Sequence, residues 1–145
     1  HTAGIQASFK IQARDRFGIS ATVGGDNFDA RIGTYLLGLG ILNKEAIKLR
    51  DMFDGEYLGA YTLTRSGVYG IEIQYLPPFN TVTLIQDAPT AIHSSPFQPI
   101  VILPSSSTPA TSSFDAETSI MAGAQNRFSV QVNDQYGNTQ QYKDV

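Results

Sequence analysis

Apolar and polar residues alternate in short runs along most of the chain, the period-two signature of strands with one buried face. Ala7, Phe9, Ile11 and Ala13 alternate with Ser8, Lys10, Gln12 and Arg14, and Phe28, Ala30 and Ile32 alternate with Asn27, Asp29 and Arg31. Tyr57, Gly59, Tyr61 and Leu63 form a third one-faced set, and Tyr69, Ile71, Ile73 and Tyr75 a fourth. Turn chemistry separates these runs at Asp15–Gly18, Gly24-Gly25-Asp26 and Asp54-Gly55, because glycine takes φ > 0 without a Cβ clash and Asp tolerates that region. Between Asn43 and Arg50 the pattern allows a short helix capped by Asn43. Ile47 and Leu49 alternating with Lys48 and Arg50 favour a strand that feeds the Asp54-Gly55 turn. Thr81–Ile85 and Ile100–Leu103 read as further strands, with Pro99 at a strand entry where no ladder donor is needed. Residues 33–42 are apolar but contain three glycines, which argues against a helix and predicts a long apolar loop.

From Pro104 to Ser113 the composition turns to Pro, Ser and Thr, which predicts a linker unable to bury enough apolar surface to order itself. The pattern then restarts. Residues 122–137 lie over residues 3–18 at a constant offset of 119, with seven identities: Ala, Gly, Gln, Phe, Gln, Asp and Gly. Ile11 against Val130 and Phe17 against Tyr136 keep the pattern elsewhere. Self-similarity at a fixed period predicts a tandem array. The expected organisation is a nearly whole domain over 1–103, a linker over 104–113 and the opening part of a second repeat over 114–145.

Composition narrows the function. With 41% hydrophobic residues the 145-residue chain can bury a core, but a net charge of −3 lacks the clustered basic face that nucleic acid requires. No apolar run approaches the roughly 20 residues of a membrane-crossing helix. The absence of cysteine excludes disulfides and thiolate zinc sites. His1 and His93 are the only histidines, and no nucleophile elbow, phosphate loop or metal-spaced histidine pair occurs, so no catalytic residue, metal or cofactor is expected. Asp51, Asp54 and Glu56 could ligate calcium from a loop, although Asp beside a turn glycine more often makes the turn itself. Tyr57, Tyr61 and Tyr69 read as core aromatics rather than a ligand-stacking set.

Five pieces in order carry a family resemblance: Ala-Gly-x4-Phe-x-Ile (3–11), Gly-Gly-Asp-x-Phe-x-Ala-x-Ile (24–32), Asp-x-x-Asp-Gly-x-Tyr-x3-Tyr (51–61), Gly-x-Tyr (67–69) and Ser-Pro-Phe (95–97). Together the chain resembles the filamin-type immunoglobulin-like repeat over most of 3–103, restarting at 122. It departs from that pattern at Met52 and Leu63, in a long segment over 76–94, and in the apolar stretch around 33–46. The resemblance implies an initial strand before Ala3 and a corner tyrosine at Tyr69. It also implies a peptide groove at the edge between the third and fourth strands.

Pattern and resemblance converge on one fold class: an all-β, immunoglobulin-like antiparallel sandwich of about seven strands in a tandem repeat array. The expected role is a structural or scaffolding module that binds other proteins, cytoskeletal ones or neighbouring repeats, in the cytoplasm, cytoskeleton or cilium. The implied groove involves Phe28, Ala30 and Ile32 with Ile47 and Leu49. The apolar loop offers Leu36, Leu37 and Leu39 as a second contact surface. The alternative is an extracellular cell-surface adhesion repeat with an O-glycosylated linker, although no Asn-x-Ser/Thr acceptor occurs.

Overall fold

The computed structural model describes residues 1–78, 81, 87–116, 119, 121–123, 125 and 127–140. They form ten strands: β1 (Gln6–Gln12), β2 (Phe28–Leu36), β3 (Gly40–Ile47), β4 (Leu49–Asp51), β5 (Glu56–Thr62), β6 (Gly67–Tyr75), β7 (Thr90–Ala91), β8 (Phe97–Ile102), β9 (Ser113–Ala116) and β10 (Phe128–Gln131). The fold is an all-β sandwich of antiparallel sheets. The strand expected over Thr81–Ile85 lies, beyond Thr81, outside the described residues.

The chain divides into two compact units, one made of residues 6–62 and 67–101, the other of 1–5, 63–66 and 102–145. In the larger unit, one sheet runs β1-β5-β4 and the other β3-β2-β6-β7, with β8 also on β6. Antiparallel register pairs Ile11 with Tyr57, Phe9 with Gly59 and Ala7 with Tyr61, so the alternating faces read from the sequence meet each other. Gly59 has no room for a Cβ because the Phe9 ring lies against it. From the other sheet Ala30, Ile32, Ile71 and Ile73 are buried, as are Ile11 and Tyr57 opposite. Phe28 joins the two layers, its ring edge-on to Tyr57 at 4.9 Å and to Tyr75 at 5.7 Å. The buried Tyr57 hydroxyl accepts the Asp26 N–H at 2.7 Å, and burial pushes its phenol above the usual value.

Carboxylates at the loops satisfy backbone donors. Asp51 accepts the N–H groups of Phe53 and Gly25, and Asp54 accepts that of Glu56. Glu56 pairs with Lys10 across β1 and β5 at 2.7 Å. All three carboxylates weighed as a calcium set are therefore occupied by turn and strand contacts.

The smaller unit corrects the reading of residues 104–113 as an unstructured linker. Pro109–Thr111 form a 3-10 turn, and Ser113 begins β9, which pairs with β10. Order here comes from hydrogen bonds rather than apolar burial. Asp134 is fully buried and accepts the N–H and hydroxyl of Ser105, the N–H groups of Tyr136 and Asn138, and the Asn138 side-chain amide. Burial works to raise its carboxyl, but these donors outweigh that effect and hold it well below the usual carboxylate range. Asn133 donates to the Thr111 carbonyl at 2.7 Å, and Gln140 to that of Ser105. Asn138 donates to the Thr64 carbonyl at 2.7 Å and accepts the Ser66 N–H at 2.8 Å.

Candidate partner-binding surface

The apolar stretch at 33–42 is a β-hairpin, not the long loop expected from its glycines. β2 continues to Leu36 and β3 begins at Gly40, so the turn is only Leu37-Gly38-Leu39. Leu39 N–H closes it onto the Leu36 carbonyl at 3.0 Å, and Gly38 and Gly40 take φ of 83° and 81°. Two of the three glycines thus make a tight turn, where their low helix propensity alone predicts a long loop.

A β-bulge then resets the strand. Ile32 pairs with Glu45 but Thr34 with Leu42, a register shift opposite Gly33, and Asn43 sits at φ 50°. Asn tolerates the left-handed region that this kind of bulge demands. The extra residue changes which face the later side chains occupy. Ile41 and Ile47 share parity, yet Ile47 is buried in the core while Ile41 lies across Gly33 and Gly70 on the other face. A Cβ on Gly70 would come 2.8 Å from the Ile41 Cδ1, and one on Gly33 would overlap the Leu42 carbonyl oxygen.

Beside Ile41 that outer face is polar. Arg31 pairs with Asp29 at 2.8 Å, Lys44 bonds Glu72, and Gln74 donates to Glu72 at 3.2 Å. The Lys44 hydrogen bond holds the Glu72 carboxyl below its ordinary value. A shallow depression of about 260 Å³ opens among Asp29, Arg31, Lys44, Glu72 and Gln74. Its charges are already paired with one another, so it presents no uncompensated charge to a ligand.

The residues expected to bind partners separate into two groups. Ala30, Ile32 and Ile47 are core side chains at 1%, 5% and 7% exposure, and Phe28 is half-buried between Tyr57 and Tyr75. β2 is paired on both edges, by β3 and by β6, so the edge assigned to the groove is filled. Ile47 ends β3 in one sheet, whereas half-buried Leu49 begins β4 in the other. The groove implied by the resemblance is therefore not formed by these residues, because the lengthened β2–β3 hairpin occupies its place. Leu36, Leu37 and Leu39 stand instead at the hairpin tip, 44%, 91% and 72% exposed, with Leu42 behind them at 38%. Among the described residues, β3 carries no strand on its outer edge.

The sequence places Ile41 only within the apolar stretch and offers Asn43 as a helix cap; that the two aim this hairpin depends on the pairing of Gly33 with Gly70, which the pattern does not carry. The sequence reading missed Asn133, Asn138 and Gln140. Among the described residues no helix is long and apolar enough to cross a membrane, and no three acidic or histidine side chains converge on a metal-sized site. No protein-family model and no curated protein matches the chain.

Proposed function

We propose that this chain is a structural module of a multi-repeat protein, of the kind that filamin-type repeats exemplify, and that it binds other proteins through the β2–β3 hairpin. The observation that carries the reading is the leucine tip: Leu37 and Leu39 stand out from a tight, hydrogen-bonded turn at 91% and 72% exposure. Apolar side chains so placed lose nothing on folding and gain on burial against a partner. A convex tip on paired strands suits a partner with a complementary apolar hollow, and the unpaired β3 edge beside it offers backbone donors and acceptors.

The multi-repeat part rests on the 119-residue recurrence and on a turn that recurs with it. A cytoplasmic scaffold, cytoskeletal or ciliary, agrees better with the Ser/Thr/Pro segment than a glycosylated stalk does. The hydroxyls of Ser105, Thr111 and Ser112 are already spent on Asp134 Oδ2, on the Thr108 and Asp134 carbonyls, and on the Thr108 carbonyl, respectively. Affinity capture with the whole chain, wild type against Leu37→Asp plus Leu39→Asp, tests the tip. Partners retained equally by both proteins would remove the hairpin from the function.

A further inference from the structure

We propose that the loop end formed by Asp15–Val23 and Met52–Phe53 is a docking face for the tail of another module of this kind, meaning its 63–66 loop and its exit segment. The inference deepens the multi-repeat reading and rests on it.

Two turns in the chain make the same bonds 119 residues apart. Asp15 Oδ1 accepts the N–H groups of Phe17 and Ile19, as Asp134 Oδ1 accepts those of Tyr136 and Asn138. Gly18 N–H closes on the Asp15 carbonyl and Gly137 N–H on that of Asp134, both at 3.0 Å and both with φ 82°. The bridge from Arg14 to Ser20 recurs from Asn133 to Thr139.

Their surroundings differ. The second turn is covered: Ser105 sits on the Asp134 carboxylate, Asn138 clamps the 64–66 backbone, and the Tyr136 ring lies against Gly4, leaving no space for a Cβ there. The first turn lies open among the described residues, with Arg14 donating to its Gly18 carbonyl at 2.8 Å and the Arg16 guanidinium over the Phe17 ring at 4.6 Å. Asp15 is exposed, and Phe17 and Ile19 are 72% and 66% exposed. Adjoining loops extend the open face. Gly25 N–H donates to Asp51 at 2.9 Å, Asp51 holds the Phe53 N–H at 2.7 Å, and Ala21 packs on Gly55, which brings exposed Val23, Met52 and Phe53 to the same end. Five large apolar side chains thus surround the one carboxylate whose counterpart is seen docked.

The chemistry of the occupant follows from the exchange of residues at that spacing. Asp15 keeps the acceptor that Ser105 satisfies in the second turn, and Phe17 keeps the ring. Asn138 is replaced by Ile19, so the clamp on the 64–66 backbone gives way to apolar contact, and Asn133 by Arg14, which donates to the Gly18 carbonyl at 2.8 Å. The tail that fits carries N–H and hydroxyl donors for Asp15, as Ser105 does, and sets the side chains of Leu63 and Leu103 against Phe17, Ile19 and Val23.

The test fuses residues 1–119 directly ahead of the 145-residue chain, which preserves the 119-residue spacing, and measures amide exchange in the original chain with and without the added module. Docking slows exchange over 15–23 and 52–53 by at least about tenfold. Phe17→Asp plus Ile19→Asp in the original chain abolishes that slowing, while protection of β1 and β5 shows that the variant still folds. Unchanged exchange beside an added module that is itself folded overturns the docking face and leaves the repeat reading standing. An added module that never folds overturns both. Self-association of the unfused chain through Phe17 and Ile19, seen by sedimentation, makes a second copy the occupant and also overturns the proposal.

Discussion

Gly33→Ala tests how the leucine tip is held. The added methyl overlaps the Leu42 carbonyl oxygen, a backbone atom that can yield only if β3 moves off β2. Overpacking of this kind costs about 1–3 kcal/mol, and in a domain near 100 residues each kcal/mol lowers Tm by roughly 4–8 °C. A fall of about 5–20 °C is therefore expected, with faster amide exchange through Gly40–Ile47. Gly70→Ala provides the contrast. Its methyl meets the Ile41 Cδ1 at 2.8 Å, the end of a side chain that can swing aside, so its cost stays below about 1 kcal/mol. Combining each with Ile41→Ala separates the two cases by double-mutant cycle. Gly70→Ala couples to Ile41 by about 0.5–1 kcal/mol, whereas most of the Gly33→Ala cost survives the loss of Ile41. Thermal unfolding by circular dichroism and hydrogen exchange read both. A Gly33→Ala protein that melts within about 1 °C of wild type, or that is fully rescued by Ile41→Ala, refutes the close approach at the bulge.

Ile32→Ala should cost about 2–5 kcal/mol by denaturant unfolding, while Leu37→Asp should stay within about 0.5 kcal/mol; similar values would undo the division into core and tip. Tyr57→Phe removes the acceptor of the Asp26 N–H and should cost about 0.5–1.5 kcal/mol, with no effect contradicting that bond. Asp134, whose folded carboxyl lies below the usual range, contributes stability that is complete above about pH 4 and is lost as the pH falls toward the folded value. Exchange protection of the Ser105, Tyr136 and Asn138 amides should decline on acidification and lose that dependence in Asp134→Asn; protection that grew on acidification would reverse the sign and refute the assignment.

Where period-two alternation met turn residues, the sequence was readable. The faces of β1, β2, β5 and β6 followed directly from Ala7-Phe9-Ile11, Ala30-Ile32, Tyr57-Gly59-Tyr61 and Ile71-Ile73, because burial on one face repeats every second residue. The choice of strand over helix at Ile47 and Leu49 also holds, although a sheet change at Lys48 splits that run between β3 and β4. Legibility failed where long-range contacts decide the outcome. Glycines 33, 38 and 40 look alike in sequence, yet one opposes a bulge and two make a turn. The Ser/Thr/Pro segment reads as linker by composition, because composition counts apolar area and cannot see five donors converging on Asp134. Of the candidate site, the exposed leucines were legible as an apolar run. The strand-edge groove was misplaced because alternation fixes which face a residue occupies, not which strand lies beside it.

The bulge at Asn43 has a consequence for the molecule in company. An open sheet edge invites uncontrolled pairing with other chains, most of all where modules are crowded together along a polymer. On β3 the regular ladder is broken at Asn43, and Lys44 and Glu45 are exposed immediately after it. A stray strand could stay in register for only a few residues at a time, from Gly40 to Leu42 or from Glu45 to Ile47. The same kink that aims the leucine tip therefore protects the sheet from aggregating, and its removal should give a chain that still folds but precipitates.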